Sequence, residues 1–250
     1  MNKDKGIILN EEELALIEVI KEWIKNKKYI KSSDIEYDFS ISLSLADKII
    51  KYLIINKFID IYETYDKGHK VINFNPGLKI YLLDYNLEMV EAWKKEFEDY
   101  QEIIIIHDDF KHFMDEYDIE CIVSPANSYG IMDGGYDLAI TNYFGDSLQK
   151  EVQKYTRHHF YGEQPLGTSF IIDIPHSDKK LIHTPTMQIP KPIKDDFIIY
   201  QCMRVTLMEA LNNNIKSIVI PAFGGNCGKI PFDVIAKKMK NAYLQVISRL

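Results

Sequence analysis

Leu16, Ile17, Ile20, Trp23 and Ile24 recur at three- and four-residue spacing, the period of one buried helical face. The acidic run Glu11–Glu13 ahead of them suits the positive end of a helix. A second, shorter helix is predicted over Ser33–Tyr37, with Ser32 or Ser33 as its cap. In a third, capped by Ser42 or Ser44, Leu45, Ile49 and Leu53 form the apolar stripe. Phe58–Glu63 and Lys70–Phe74 then read as two strands around the turn signal Asp66-Lys67-Gly68.

Gly68, Asn75, Pro76 and Gly77 mark a boundary, giving domains over residues 1–75 and 76–250. From Leu78 the pattern changes to short apolar runs separated by helical periods. LKIYLLD, EIIIIHD, IECIVSP, SFIIDI, KLIHT and KSIVIPAF read as strands. Leu87–Phe97, roughly Phe197–Asn212, and the segment from Phe232 onward read as helices. Buried strands alternating with helices predict an α/β sandwich with helices on both faces of its sheet.

Composition narrows the function classes. Of 250 residues, 46% are apolar and 27% charged, which a disordered chain would not show. The net charge is −7, so nucleic acid is not bound by bulk charge and any such contact is local. Cys121, Cys202 and Cys227 lack metal-ligand or disulfide spacing and suit a reducing compartment. With neither a signal-peptide pattern nor an apolar run long enough to span a bilayer, a cytoplasmic protein without membrane contact is expected.

Ligands of such sheets sit beyond the carboxyl ends of strands. Two loops there are unusual, each running from a strand into a helix with three glycines: Ser124-Pro125-Ala126-Asn127 through Gly134-Gly135-Tyr136-Asp137, and Pro221-Ala222-Phe223-Gly224-Gly225-Asn226-Cys227-Gly228-Lys229. Glycine lets backbone N–H groups approach a ligand closely, and a helix start favours phosphate. Two such loops on one sheet edge would grip a diphosphate from both sides. Neither matches GxGxxG or GxxxxGK[ST].

CIVSPANSYGIMDGGYDLAI resembles the macrodomain signature: a strand, an Asn-bearing turn, a glycine run and an aspartate heading a helix. KKLIHTP and KSIVIPAFGGNCGKIP resemble later segments of that family, in the family's order, over about Leu78–Leu250. SPANS, the Asp-Gly-Gly run and Pro185-Thr186-Met187 look like a bacterial and phage branch. The resemblance implies a three-layer α/β/α sandwich with a mixed central sheet and a pocket for ADP-ribose, which is ligand or product rather than cofactor. Asp109 with Phe110 matches the pair that meets the adenine, with Asp108 the competing register. Asn127, beside Ala126, matches the asparagine on the distal ribose. Gly134, Gly135 and Tyr136 match the first phosphate loop. Phe223, Gly224, Gly225, Asn226, Cys227 and Gly228 match the second. Asp137 matches the aspartate that positions water in hydrolytic members. Asn226 and Lys229 depart from the family's pattern, and Asn226 is expected to keep the turn by adopting a left-handed conformation. No metal is implied.

On this reading the chain binds ADP-ribose or a derivative and hydrolyses the distal-ribose C1 linkage of mono-ADP-ribosylated substrates. The alternative is a non-catalytic reader. Each residue also has a plainer use: Asp137 as a helix-start charge, Asn127 as a turn residue, Asp109 as a solvated acid, Cys227 as a packing residue. His183 reads as a satisfied strand residue and His158-His159 as a surface pair.

The string ISLSLADKIIKYLIINKFI resembles the helix-turn-helix of small bacterial winged-helix modules, such as the gamma domain of the DNA translocase FtsK. That implies a DNA-reading helix, with Lys48, Lys51, Lys67 and Lys70 at phosphates. The same module would serve equally as a protein-binding platform, for residues 1–75 hold 12 Lys against 13 Asp plus Glu.

Overall fold

The computed structural model describes residues 7, 9–25, 27, 29–56, 58–64, 68–71, 77–98, 100 and 102–249. The chain divides into two compact units, one of residues 1–77 with 247–250 and one of residues 78–246, so the last turn of the closing helix falls with the first.

The first unit runs α1 (Glu11–Ile24), β1 (Tyr29–Ile30), α2 (Ser32–Phe39), α3 (Leu43–Ile55), β2 (Ile59–Thr64) and β3 (Gly68–Val71). Its three strands are antiparallel in the order β1-β3-β2. Asn10 caps α1: its side chain accepts the Glu13 N–H while the Glu13 carboxylate accepts the Asn10 N–H. Ser42 caps α3, accepting the Leu45 N–H. The cap of α2 is Lys31, not a serine, because Ser32 is already helical and Asp34 accepts the Lys31 N–H. Ile17, Ile20, Ile35, Ile49 and Leu53 are fully buried in one core.

The second unit holds β4 (Lys79–Asp84), α4 (Leu87–Phe97), β5 (Ile103–His107), α5 (Phe110–Glu116), β6 (Cys121–Ser124), α6 (Gly135–Phe144), α7 (Ser147–Phe160), β7 (Phe170–Asp173), β8 (Lys180–His183), α8 (Phe197–Asn212), β9 (Ser217–Pro221) and α9 (Phe232–Arg249). Its sheet has the order β5-β4-β9-β6-β8-β7. Every neighbouring pair is parallel except β7 with β8. Period-two burial splits each central strand between two cores. Tyr81 and Leu83 of β4 pack with Phe113, Ile140 and Val152 of α5, α6 and α7. Across the sheet, Phe97 of α4 meets Tyr243 of α9, and Arg204 of α8 bonds Gln245 of α9. The result is a mixed sheet between two helical layers.

Because β5, β4, β9, β6 and β8 run in the same direction, the loops leaving their carboxyl ends share one edge. The chain crosses from β4 outward to β5 on one side of β9, and from β6 to β8 on the other. That reversal opens a crevice over the carboxyl end of β9. Among the described residues, no helix is long and apolar enough to cross a membrane.

Candidate functional site

The crevice is a cleft of about 480 Å³. Five segments build it: 83–86 at the end of β4, 108–110 after β5, 125–139 after β6, 186–190 after β8, and 221–232 from the end of β9. The two glycine loops face each other across it. A Cβ added to Gly135 would stand 3.7 Å from Asn226 Nδ2, so the loops nearly touch at that point.

The second loop demands glycine for steric reasons. Gly224 has φ +75°, and a Cβ there would lie 2.7 Å from Ile199 Cδ1. At Gly228 a Cβ would lie 2.3 Å from the Gly224 carbonyl oxygen. The loop is pinned from outside, with the Ile193 N–H donating to the Gly228 carbonyl and the Ile230 N–H to that of Gly224. Among the described residues, the N–H groups of Gly224, Gly225, Asn226, Cys227 and Gly228 find no backbone acceptor. The left-handed residue expected at Asn226 is instead Lys229, with φ 53°; its side chain is exposed and does not line the cleft.

In the first loop, Asn127 is 8% exposed and its side chain is spent largely on the loop itself. Its Nδ2 donates to the Ile131 carbonyl at 2.7 Å, and its Oδ1 accepts the N–H groups of Tyr129 and Ile131. One Nδ2 hydrogen remains. Thr186 ties the loop to the segment after β8, donating its N–H to the Ala126 carbonyl and its hydroxyl to that of Pro125.

Asp137 stands in the first turn of α6 and lines the cleft. Burial raises its pKa to about 7, opposed by the Ser124 hydroxyl, which donates to Oδ1 at 2.6 Å. Beside it, the Tyr136 hydroxyl is buried without a hydrogen-bond partner among the described residues, and the ring packs edge-on against Phe110 at 5.2 Å. Burial and the charges of Asp137 and Asp84 hold that phenol neutral. Asp109 caps α5, accepting the His112 N–H at 2.9 Å, and remains exposed at the cleft. Asp108 also lines the cleft, its carboxylate paired with His112 Nδ1 at 2.5 Å and therefore held below the usual range.

Ala126, Asn127, Gly134, Gly135, Tyr136 and Asp137 thus share one cleft with Asp109, Phe110, Gly224, Gly225, Asn226, Cys227 and Gly228. Phe223 does not join them. Its side chain is fully buried in the core, while its neighbours Ala222 and Gly224 line the cleft. The sequence reading misses Asp84, half-buried at the end of β4, whose pKa burial raises. Its place at the carboxyl end of LKIYLLD was the available signal. Thr186 and Met187 also line the cleft and belong to the Pro185-Thr186-Met187 string.

The lining holds five carboxyl groups, Asp84, Asp108, Asp109, Asp133 and Asp137, and no Lys, Arg or His among the described residues. His183 lies away from it, fully buried. Its Nδ1 pairs with Gln164 Oε1 at 2.6 Å, its Nε2 is without a partner among the described residues, and burial drops its pKa to about 3.

In the first unit, Lys48 is not free for phosphate: its ammonium is held by the Glu13 carboxylate at 2.7 Å. Lys51 is exposed on α3. Lys70 lies in β3 opposite Tyr29, and Lys67 falls outside the described residues.

A family model described as Macro domain matches residues 123–239. An uncharacterized protein of Aquifex aeolicus is 30% identical over 126 residues, which cover 50% of this chain and 72% of that protein. Among solved structures, the macrodomain of Mycobacterium tuberculosis DarG is similar at 21% identity and a TM-score of 0.46, covering 53% of this chain and 86% of that one. The Oceanobacillus iheyensis macrodomain with ADP is similar at 23% identity and a TM-score of 0.47, covering 53% and 71%.

Proposed function

We propose, from the match of residues 123–239 to the Macro domain family model, that the cleft binds ADP-ribose and hydrolyses the linkage at C1 of its distal ribose. The observation that carries the reading is the run of N–H groups from Gly224 to Gly228 that find no acceptor among the described residues, facing the start of α6 across a cleft whose described lining has no cationic side chain. An anion there is held by backbone dipoles alone. The starts of α6 and α9 both abut the cleft and add the positive ends of two helices.

The diphosphate lies between the two loops. Asp109 and Phe110 take the adenine end, and the remaining Nδ2 hydrogen of Asn127 takes a distal-ribose hydroxyl. Breaking the C1 bond develops oxocarbenium character on the ribose. Asp137, ionised above about pH 7, orients a water toward C1 and stabilises that positive charge. Holding the diphosphate rigidly brings C1 within reach of the water. The leaving group departs with the bonding pair, and the water's proton passes to a diphosphate oxygen or to Asp137.

Calorimetry with ADP-ribose, followed by assay of ADP-ribose released from mono-ADP-ribosylated protein and DNA, tests both parts. Saturable binding with release that Asp137→Ala abolishes supports the reading. Absence of binding overturns it, and binding without release leaves the reader role.

The reader role rests on reading the first unit as a winged helix-turn-helix, a reading supported by its element order α1-β1-α2-α3-β2-β3 and sheet order β1-β3-β2. With Lys48 occupied by Glu13, Lys51 is the described lysine of α3 left to meet a phosphate. A salt-dependent shift of duplex DNA by the full chain supports DNA contact, and its absence points to a protein partner.

A further inference from the structure

We propose that Ser124 is the positioning residue of Asp137: its hydroxyl fixes the carboxylate so that one oxygen is held by the sheet and the other is left for the attacking water. The proposal rests on the hydrolytic reading above and assigns a role to a residue that does not itself touch the ligand.

Ser124 is the last residue of β6, is fully buried, and does not line the cleft. Its backbone is fixed in the sheet, where its carbonyl accepts the Thr184 N–H at 3.0 Å. Its hydroxyl donates to Asp137 Oδ1 at 2.6 Å, the short length of a hydrogen bond to a charged oxygen. Twelve residues, Asn127 and the first glycine run included, lie between the two partners. The bond therefore closes that loop at its base and ties the start of α6 to a central strand. Asp137 Oδ2 has no partner among the described residues, and the residue lines the cleft. Thr141 holds the helix start separately, its hydroxyl donating to the Asp137 and Met132 carbonyls. Loss of Ser124 should thus free the carboxylate without unravelling α6.

The hydroxyl also bears on ionisation. A donor favours the charged carboxylate, so it works against burial. The titratable groups sharing the cleft with Asp137 are Tyr136 on α6, Asp84 at the end of β4 and Tyr85 after it, Asp108 and Asp109 ahead of α5, Asp133 after β6, and Cys227 ahead of α9. None is cationic, so Ser124 is the described side chain that favours the ionised state.

The test combines pH–rate profiles for ADP-ribose release with direct titration of the Asp137 carboxyl by carbon-detected NMR in the free protein. Ser124→Ala should lower kcat about tenfold or more while ADP-ribose affinity changes less than about threefold, since the lost bond is not to the ligand. The acid limb of kcat and the titration midpoint should both move upward by about one pH unit or more, the size of one hydrogen bond to a charge. Ser124→Thr, which keeps the hydroxyl, should restore both. Ser124→Cys, which keeps the volume with a weaker donor, should fall between and serves if the alanine variant does not fold. An unchanged titration midpoint in Ser124→Ala or Ser124→Cys overturns the proposal. Absence of release by the wild-type protein would refute the hydrolytic reading instead, and the NMR titration would still decide the Ser124–Asp137 coupling.

Discussion

Asp137→Asn should stabilise the protein, and by an amount that depends on pH. The Asp137 carboxyl titrates near 3.8 when exposed and at about 7 when folded, because burial penalises its charge. Between those values the folded state binds more protons than the unfolded one, so stability falls as pH rises through the window. The shift corresponds to about 4 kcal/mol, fully expressed above pH 7 and nearly absent below pH 4. Asparagine carries no such cost, and its side-chain oxygen still accepts the Ser124 hydroxyl. At roughly 2–4 °C per kcal/mol for a unit of this size, the variant should melt on the order of 10 °C higher at pH 8.5. At pH 4 the two melting temperatures should nearly coincide. Calorimetric scans of both proteins across that range measure the difference directly. A difference that does not grow with pH would refute the burial argument, and with it the view that function at this site is maintained at the expense of stability.

Other outcomes follow from the same coordinates. Gly228→Ala forces a methyl group against the Gly224 carbonyl, so ADP-ribose affinity should drop about 10- to 100-fold by calorimetry, the loss of one or two amide bonds to an anion. Cys227 is exposed in the cleft, whereas burial raises the thiol pKa of Cys121, and that of Cys202 to about 12. A thiol-specific reagent should therefore modify Cys227 first, as mapped by mass spectrometry, and ADP-ribose bound beforehand should slow it. His183 is held neutral with a pKa of about 3 against 6.5 when exposed, so its contribution is lost as pH falls from 6.5 to 3. His183→Leu should flatten that limb of the acid-unfolding curve; an equally steep curve would contradict the assignment.

The strands of the second unit were legible because each is a short apolar run bounded by polar residues, and Leu87–Phe97 because its apolar residues keep a helical period to the end. The loops were legible through glycines that admit no side chain, as Gly224 and Gly228 illustrate. Finer placement within a loop was not. Which residue turns left-handed depends on what presses on the chain from outside. The pinning of Gly228 by Ile193 puts that burden on Lys229 rather than Asn226. Phe223 is core rather than lining for a related reason: a turn residue beside a glycine run faces either the cleft or the core, and only packing decides. The helix Ser147–Phe160 leaves little trace in the sequence pattern because its polar residues outnumber the three it buries. The capture of Lys48 by Glu13, partners 35 positions apart, follows from how α1 lies on α3 and has no local signature.

If the cleft binds as proposed, a lining of five carboxyl groups and, among the described residues, no cation has a kinetic consequence. Seen from a distance, such a mouth repels a doubly charged visitor; only on close approach do the oriented amides overcome that field. Selectivity then resides in how long the guest stays rather than in how often it arrives, and dissolved salt, by shortening the reach of the repulsion, should quicken arrival instead of slowing it.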